Sequence, residues 1–331
     1  MSDILRRNTM LGSPSSNNGG GGSDEGTIDI NNYLTIEALE NGLTAKLSTN
    51  ACEYCINGDG VWKTLTANTT TPSINQGQVI SFRGNLTPSK YVGIGTFTIS
   101  KKCNLKGNCM SMLFGDDAEN NYSLSGNGYA FYELFYNCYY IIEVSPNFLS
   151  ATTLAEYCYC YMFRGCTSLT TAPELPATTL TNYCYNYMFQ GCTRLTTAPE
   201  LPATTLANDC YAYMFQGCAS LVTPPPILPA TTLAKYCYQC MFRNCTSLTT
   251  APELPATTLA KYCYAYMFYD CSKLNYIKAM FTTTPSSSYT NSWVYGVSST
   301  GTFIKNKDAT WNVTGNDGIP SGWTVIEEDP S

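Results

Sequence analysis

The sequence predicts an α+β protein: an antiparallel β-sandwich, then a short solenoid of helix, turn and short strand in each unit, then a β-rich cap. Three observations carry this. A 26-residue unit recurs almost letter for letter through the second half. Apolar residues inside that unit recur at helical spacing. In the first hundred residues, short alternating segments are separated by turn signals.

The chain opens with residues 1–27, expected to be a short peg and a flexible tether. Residues 1–12 carry Arg6 and Arg7 but neither the apolar run of a secretory signal nor a lipid-bearing Cys. The Gly/Ser-rich residues after them have no core-forming pattern. Leu5, Arg6 and Arg7 are the candidate attachment peg.

Residues 28–113 are the expected β-sandwich. The segments 33–38, 43–47, 61–65, 78–84 and 95–100 are short and rich in Val, Ile, Thr and aromatic residues, with turns such as Asn57-Gly58-Asp59-Gly60 between them. Their spacing leaves no room for crossover helices, so antiparallel pairing is expected.

Residues 114–281 carry the repeat. Leu175-Pro-Ala-Thr-Thr-Leu180 returns at Leu201, Leu228 and Leu254, spacings of 26, 27 and 26. A Met-Phe pair at Met162, Met188, Met214, Met241 and Met267 keeps the same period and is followed by Cys166, Cys192, Cys218, Cys245 and Cys271. Within one unit Leu180, Cys184, Tyr187 and Met188 fall at i, i+4, i+7 and i+8, one face of a helix. Gly191 is the expected stop. Residues 195–198 are the expected short strand, limited by Pro199 and Pro202. One such unit buries little alone, and a stack merges the Leu, Met, Phe and Cys columns into a core. The turn-rich stretch 282–331, with Trp293, Trp311 and Trp323, is the expected β-rich cap over the last layer.

The unit Met188-Phe189-Gln-Gly-Cys192-Thr-Arg-Leu195-Thr-Thr-Ala-Pro199-Glu-Leu201-Pro202 resembles the leucine-rich repeats of BspA-like surface proteins, over about residues 149–281. The resemblance implies a surface-displayed binding protein with no shared catalytic residues. The order of tether, sandwich, repeat and Trp-rich tail resembles proteins of gut Bacteroidales and of their phages. This implies a virion fibre or decoration component, made in a bacterial cytoplasm and held to a capsid or tail protein through its N-terminus, or alternatively a bacterial cell-surface adhesin or a structural spacer. Self-association into a homo-oligomer is left open.

Composition narrows the chemistry. With a net charge of −6 and scattered Lys and Arg, the chain has no basic stripe for nucleic acid. No apolar window is long enough to span a bilayer. The absence of His removes the commonest general base and metal ligand, and Glu174, Glu200 and Glu253 read as a solvated column, so no catalytic residue, no cofactor and no metal are expected. Eleven of the 17 cysteines fall in two repeat columns and read as small buried packing residues, reduced in a cytosol. Cys52 and Cys55 form a lone CxxC without the second pair of a zinc ribbon.

The candidate binding surface is aromatic. Each unit carries Tyr at alternate positions, such as Tyr183, Tyr185 and Tyr187. Residues two apart lie about 200° around a helix. If the outer two face inward, the middle column Tyr159, Tyr185, Tyr211, Tyr238 and Tyr264 faces solvent. That column is the expected contact for a host-surface glycan or protein.

Overall fold

In a computed structural model that describes residues 27–329, most of the regular structure is sheet. Seven strands come from the first region: β1 (Leu34–Ala38), β2 (Ala45–Leu47), β3 (Cys52–Ile56), β4 (Lys63–Leu65), β5 (Val79–Arg83), β6 (Phe97–Ile99) and β7 (Cys103–Lys106). An eighth, β8 (Ile141–Val144), lies beyond residue 113 yet joins the same sheet, whose order is β4-β3-β5-β1-β7-β8. The two-sheet antiparallel sandwich is therefore corrected to one six-stranded mixed sheet. Its β7–β8 pair is parallel, and it is accompanied by a two-stranded β2–β6 ribbon. Phe82 of the sheet meets Phe97 of the ribbon edge-on at 5.0 Å, and Phe97 stacks on Phe135 of the first coil at 5.5 Å. The ribbon thus packs between the sheet and the first coil at Phe97, while β8 carries the sheet directly into the repeats through the Glu143–Thr171 bridge, and the buried apolar residues of all regions form one core.

The helix, turn and strand solenoid of the repeats is also corrected. Among the described residues the longest helical stretch is ten residues, the α-helix Ser111–Phe114 running into the 3-10 segment Gly115–Asn120, and it precedes the repeats. The segment expected to be helical, such as 180–189, is a ladder of turns. Its backbone donors alternate. Cys184, Asn186, Met188, Gln190 and Cys192 each donate to the carbonyl three residues earlier, at 3.1–3.4 Å. Tyr183, Tyr185, Tyr187, Phe189 and Gly191 donate instead to Asn208, Cys210, Ala212, Met214 and Gln216 of the next coil, at 2.8–3.1 Å. A helix would use nearly every N–H within itself; here half of them tie one coil to the next, as in a sheet.

The ladder needs a left-handed residue every fourth position. Tyr183 and Tyr187 have φ of +57° and Gly191 +74°, and the same triplet recurs at Tyr157, Tyr161 and Gly165. For a non-glycine residue this costs about 1–2 kcal/mol each. The offset is packing: Phe135, Phe163, Phe189, Phe215, Phe242 and Phe268 stack face to face at 5.6–5.8 Å, all fully buried. The expected strand 195–198 contributes a single parallel bridge, Thr197 to Thr223.

Past the legible repeats the stacking continues in other letters. Strands β9 (Tyr276–Ala279), β10 (Thr302–Asn306) and β11 (Thr324–Glu328) form a parallel sheet, one strand per layer. Trp293 takes the place of the Phe at 6.0 Å from Phe268, and its indole N–H donates to the Gly318 carbonyl at 2.9 Å.

Candidate functional site

The middle tyrosines are not a surface. Tyr159, Tyr185, Tyr211, Tyr238 and Tyr264 are at most 1% exposed and stack on one another at 5.7–5.9 Å beside the Phe column. The expected exposure is corrected because it assumed a helical 100° step. In a four-residue ladder two successive residues turn inward together, so Cys184 and Tyr185 go in, then Met188 and Phe189. The hydroxyls of Tyr159, Tyr211 and Tyr238 end in the core without a hydrogen-bond partner.

The tyrosines on either side of each buried one reach solvent in part, save Tyr129, which is buried. One column is Tyr129, Tyr157 and Tyr183, stacked at 4.6 and 4.5 Å. The other is Tyr161, Tyr187 and Tyr213, stacked at 4.8 and 4.3 Å. Each column consists of residues held at positive φ, so the strained backbone positions are the ones that present rings outward. Between the columns runs a cleft of about 370 Å³ with Cys160, Asn186 and Gln239 along it. Asn186 is buried and its amide donates to the Asp209 carbonyl at 3.3 Å. Because the rings cover each other's faces, the cleft offers ring edges and hydroxyls. Arg164 lies over Tyr161 and Tyr187 at 5.3 and 5.8 Å, a cation on one outer wall.

Asp209 interrupts the first column. Its carboxyl is half-buried in the cleft, and desolvation raises it to about 6 against a hydrogen bond from Tyr183 that lowers it. The tyrosines of both columns are pushed up by the same desolvation, Tyr161 to about 12, so they remain neutral donors through the physiological range.

The cysteines have a structural task. Cys166, Cys192, Cys218 and Cys245 each donate a thiol hydrogen bond at 3.2 Å to the carbonyl of the Phe in the preceding coil, Phe135, Phe163, Phe189 and Phe215. Burial raises these thiols, Cys218 to about 12, which holds them protonated and poorly nucleophilic. Cys52 and Cys55 both lie on β3, three residues apart, which sends their side chains to opposite faces of a strand.

Glu174 and Glu200 are exposed and border a second cleft, of about 600 Å³, with Thr170, Thr196, Pro173 and Pro199 on the opposite side of the coils. Glu253 of the same column is drawn into an ion pair with Lys278 at 3.5 Å. The peg residues Leu5, Arg6 and Arg7 fall outside the described residues. No helix among the described residues is long and apolar enough to cross a membrane.

The sequence reading missed the outer columns and Asp209. Two signals pointed to them: aromatic residues four apart instead of three and four, and an Asp standing where the unit otherwise has Tyr. Comparison of the chain with family models, with curated proteins and with solved structures finds no match.

Proposed function

We propose that the chain is a non-enzymatic, surface-displayed binding protein, a virion fibre or decoration component, and that it meets host-surface glycan through the cleft between the two outer tyrosine columns. One observation carries the reading. Neutral phenol groups repeat along the cleft at the coil spacing, held rigid by stacking, and a polymer of polyhydroxylated units offers hydrogen-bonding groups at its own regular spacing. Contacts of modest strength on several coils then add through a high effective concentration. Tyrosine suits this because its ring costs little entropy to hold and its tip stays wet. A bacterial cell-surface adhesin would use the same face, and the genes beside the coding sequence, capsid or tail genes against none, separate the two.

The test is the triple substitution Tyr161→Phe, Tyr187→Phe and Tyr213→Phe, which keeps the rings and removes the hydroxyls. Attachment to host cells or to an arrayed glycan bound by the parent protein should fall at least tenfold, about 1.4 kcal/mol. The melting temperature should stay within a few degrees. Undiminished attachment would remove the cleft as the binding face and leave the Thr170 and Thr196 side.

A further inference from the structure

The first tyrosine column breaks at one coil, and the break has a defined shape. Tyr157, Tyr183, Asp209, Tyr236 and Tyr262 occupy equivalent positions, because their N–H groups donate in turn to Asn182, Asn208, Lys235, Lys261 and Ser288 of the following coils. Asp209 keeps the left-handed backbone of its neighbours, with φ of +54°. Its side chain is shorter than a phenol. Tyr183 stacks on Tyr157 at 4.5 Å and Tyr236 on Tyr262 at 5.3 Å, so each has a covered outer face and an inner face turned toward the vacant ring position above Asp209.

Two coil steps separate those inner faces, roughly 10 Å at the spacing of neighbouring strands. A group centred between them lies about 5 Å from each ring, inside the roughly 6 Å over which a cation is attracted by an aromatic face. The third wall is the Asp209 carboxyl. It makes no ion pair among the described residues, and the cleft it opens into has no Lys or Arg in its lining. Lys235, adjacent to Tyr236 in sequence, is exposed and forms no ion pair with Asp209. Two aromatic faces and a carboxylate that accepts from the Tyr183 hydroxyl but has no cationic partner among the described residues are complementary to an organic ammonium, whose positive charge is spread over the C–H groups attached to its nitrogen.

We infer that the gap at Asp209 is a pocket for an organic ammonium group, with Tyr183 and Tyr236 as the flanking faces and Asp209 as the counter-ion. The inference deepens the proposed use of the cleft, since it assigns a charged substituent, such as the amine of an amino sugar or a choline-type headgroup, to one coil of an otherwise neutral face. Ionised Asp209 is the binding form. The titratable side chains facing it, Tyr183, Tyr213 and Cys210, are all raised by burial and stay neutral through this range. The residues preceding the column, Glu156, Asn182, Asn208, Lys235 and Lys261, stand outside the gap. Ammonium binding therefore strengthens as pH rises through about 6, where the free carboxyl titrates.

The experiment titrates the full chain with choline and with its neutral isostere 3,3-dimethyl-1-butanol, following tyrosine resonances by NMR at pH 5 and pH 7.5. Choline should shift the Tyr183 and Tyr236 signals, at least tenfold more tightly than the isostere, and more tightly at pH 7.5. Asp209→Asn should erase both preferences. Asp209→Tyr, which restores the repeat residue and fills the gap, should abolish choline binding while leaving the fold intact. Equal affinity for choline and the neutral alcohol would overturn the pocket, as would a preference for choline that survives Asp209→Asn or choline binding that survives Asp209→Tyr. Glycan attachment measured on the same variants is independent: its persistence in Asp209→Tyr beside lost choline binding keeps the cleft and isolates the pocket, whereas undiminished glycan attachment in the Phe triple variant removes the cleft.

Discussion

The strands of residues 34–106 and the coils from Tyr129 onward face one task, pairing backbone groups beside an apolar core, and meet it with different periods. In the sheet, β1 pairs with β5 and β7, so its hydrogen bonds all leave the strand and side chains alternate every residue. In the coils, half of the N–H groups turn back locally and half cross to the next layer, and the inward positions come in pairs every four residues. The first period belongs to any strand. The second depends on residues willing to sit at positive φ, which ties the coil to its Tyr and Gly positions.

Two glycines with nearly the same backbone separate these regimes. Gly107, after β7, has φ of +75°, and a methyl group there would run into the Tyr33 and Ile30 carbonyls. Gly191, in a coil, has φ of +74°, but the nearest atom to its added methyl is the Gly165 Cα at 3.9 Å. Gly107→Ala should therefore destabilise by more than about 4 kcal/mol, among the exceptional losses. Gly191→Ala should lose only the backbone strain, about 1–2 kcal/mol. Equal losses in urea melts would show that the coil is as tightly closed as the sheet junction.

The coils can be broken at their centre as well. Phe215 is fully buried between Phe189 and Phe242 at 5.7 and 5.6 Å, and its carbonyl accepts the Cys245 thiol. Phe215→Ala should cost roughly 3–5 kcal/mol. Because the Phe column continues through Phe135 to Phe97 and Phe82, the loss should appear in one transition with the sheet region. A separate, earlier melt of the coils would show two independent cores.

How much of this was legible follows from which signals are local. All five expected strand segments contain a strand, because period-two alternation between turns survives any tertiary arrangement. β3 and β7 lie outside those segments, each a short run opening on a Cys that competes as a metal-ligand or packing signal, and β8 lies past the expected end of the sandwich because its partner β7 is remote in sequence. The repeat register was legible, and with it the buried Phe and Cys columns. The conformation of the unit was not. Leu180, Cys184 and Met188 are four apart, which fits a helix turn or a four-residue turn ladder equally well; only the inter-coil hydrogen bonds decide, and they join residues about 26 apart. The inward tyrosine was misplaced by the same choice.

The smallest expected effect tests that choice directly. On a helix with the middle column outside, the Tyr211 hydroxyl would meet water, and Tyr211→Phe would leave stability almost unchanged. In the coil the ring is packed between Tyr185 and Tyr238 at 5.7 and 5.9 Å and the hydroxyl is buried without a partner. An unpaired buried hydroxyl costs its desolvation, about 1–3 kcal/mol, and removing it while keeping the ring recovers part of that. Tyr211→Phe should therefore stabilise by about 1 kcal/mol. Tyr213→Phe, two residues away in the outer column, removes a half-exposed hydroxyl and should change stability by less than about 0.5 kcal/mol. A gain at Tyr211 with none at Tyr213 assigns inside and outside to the alternate tyrosines; the reverse order would return the middle column to the surface and take the cleft with it.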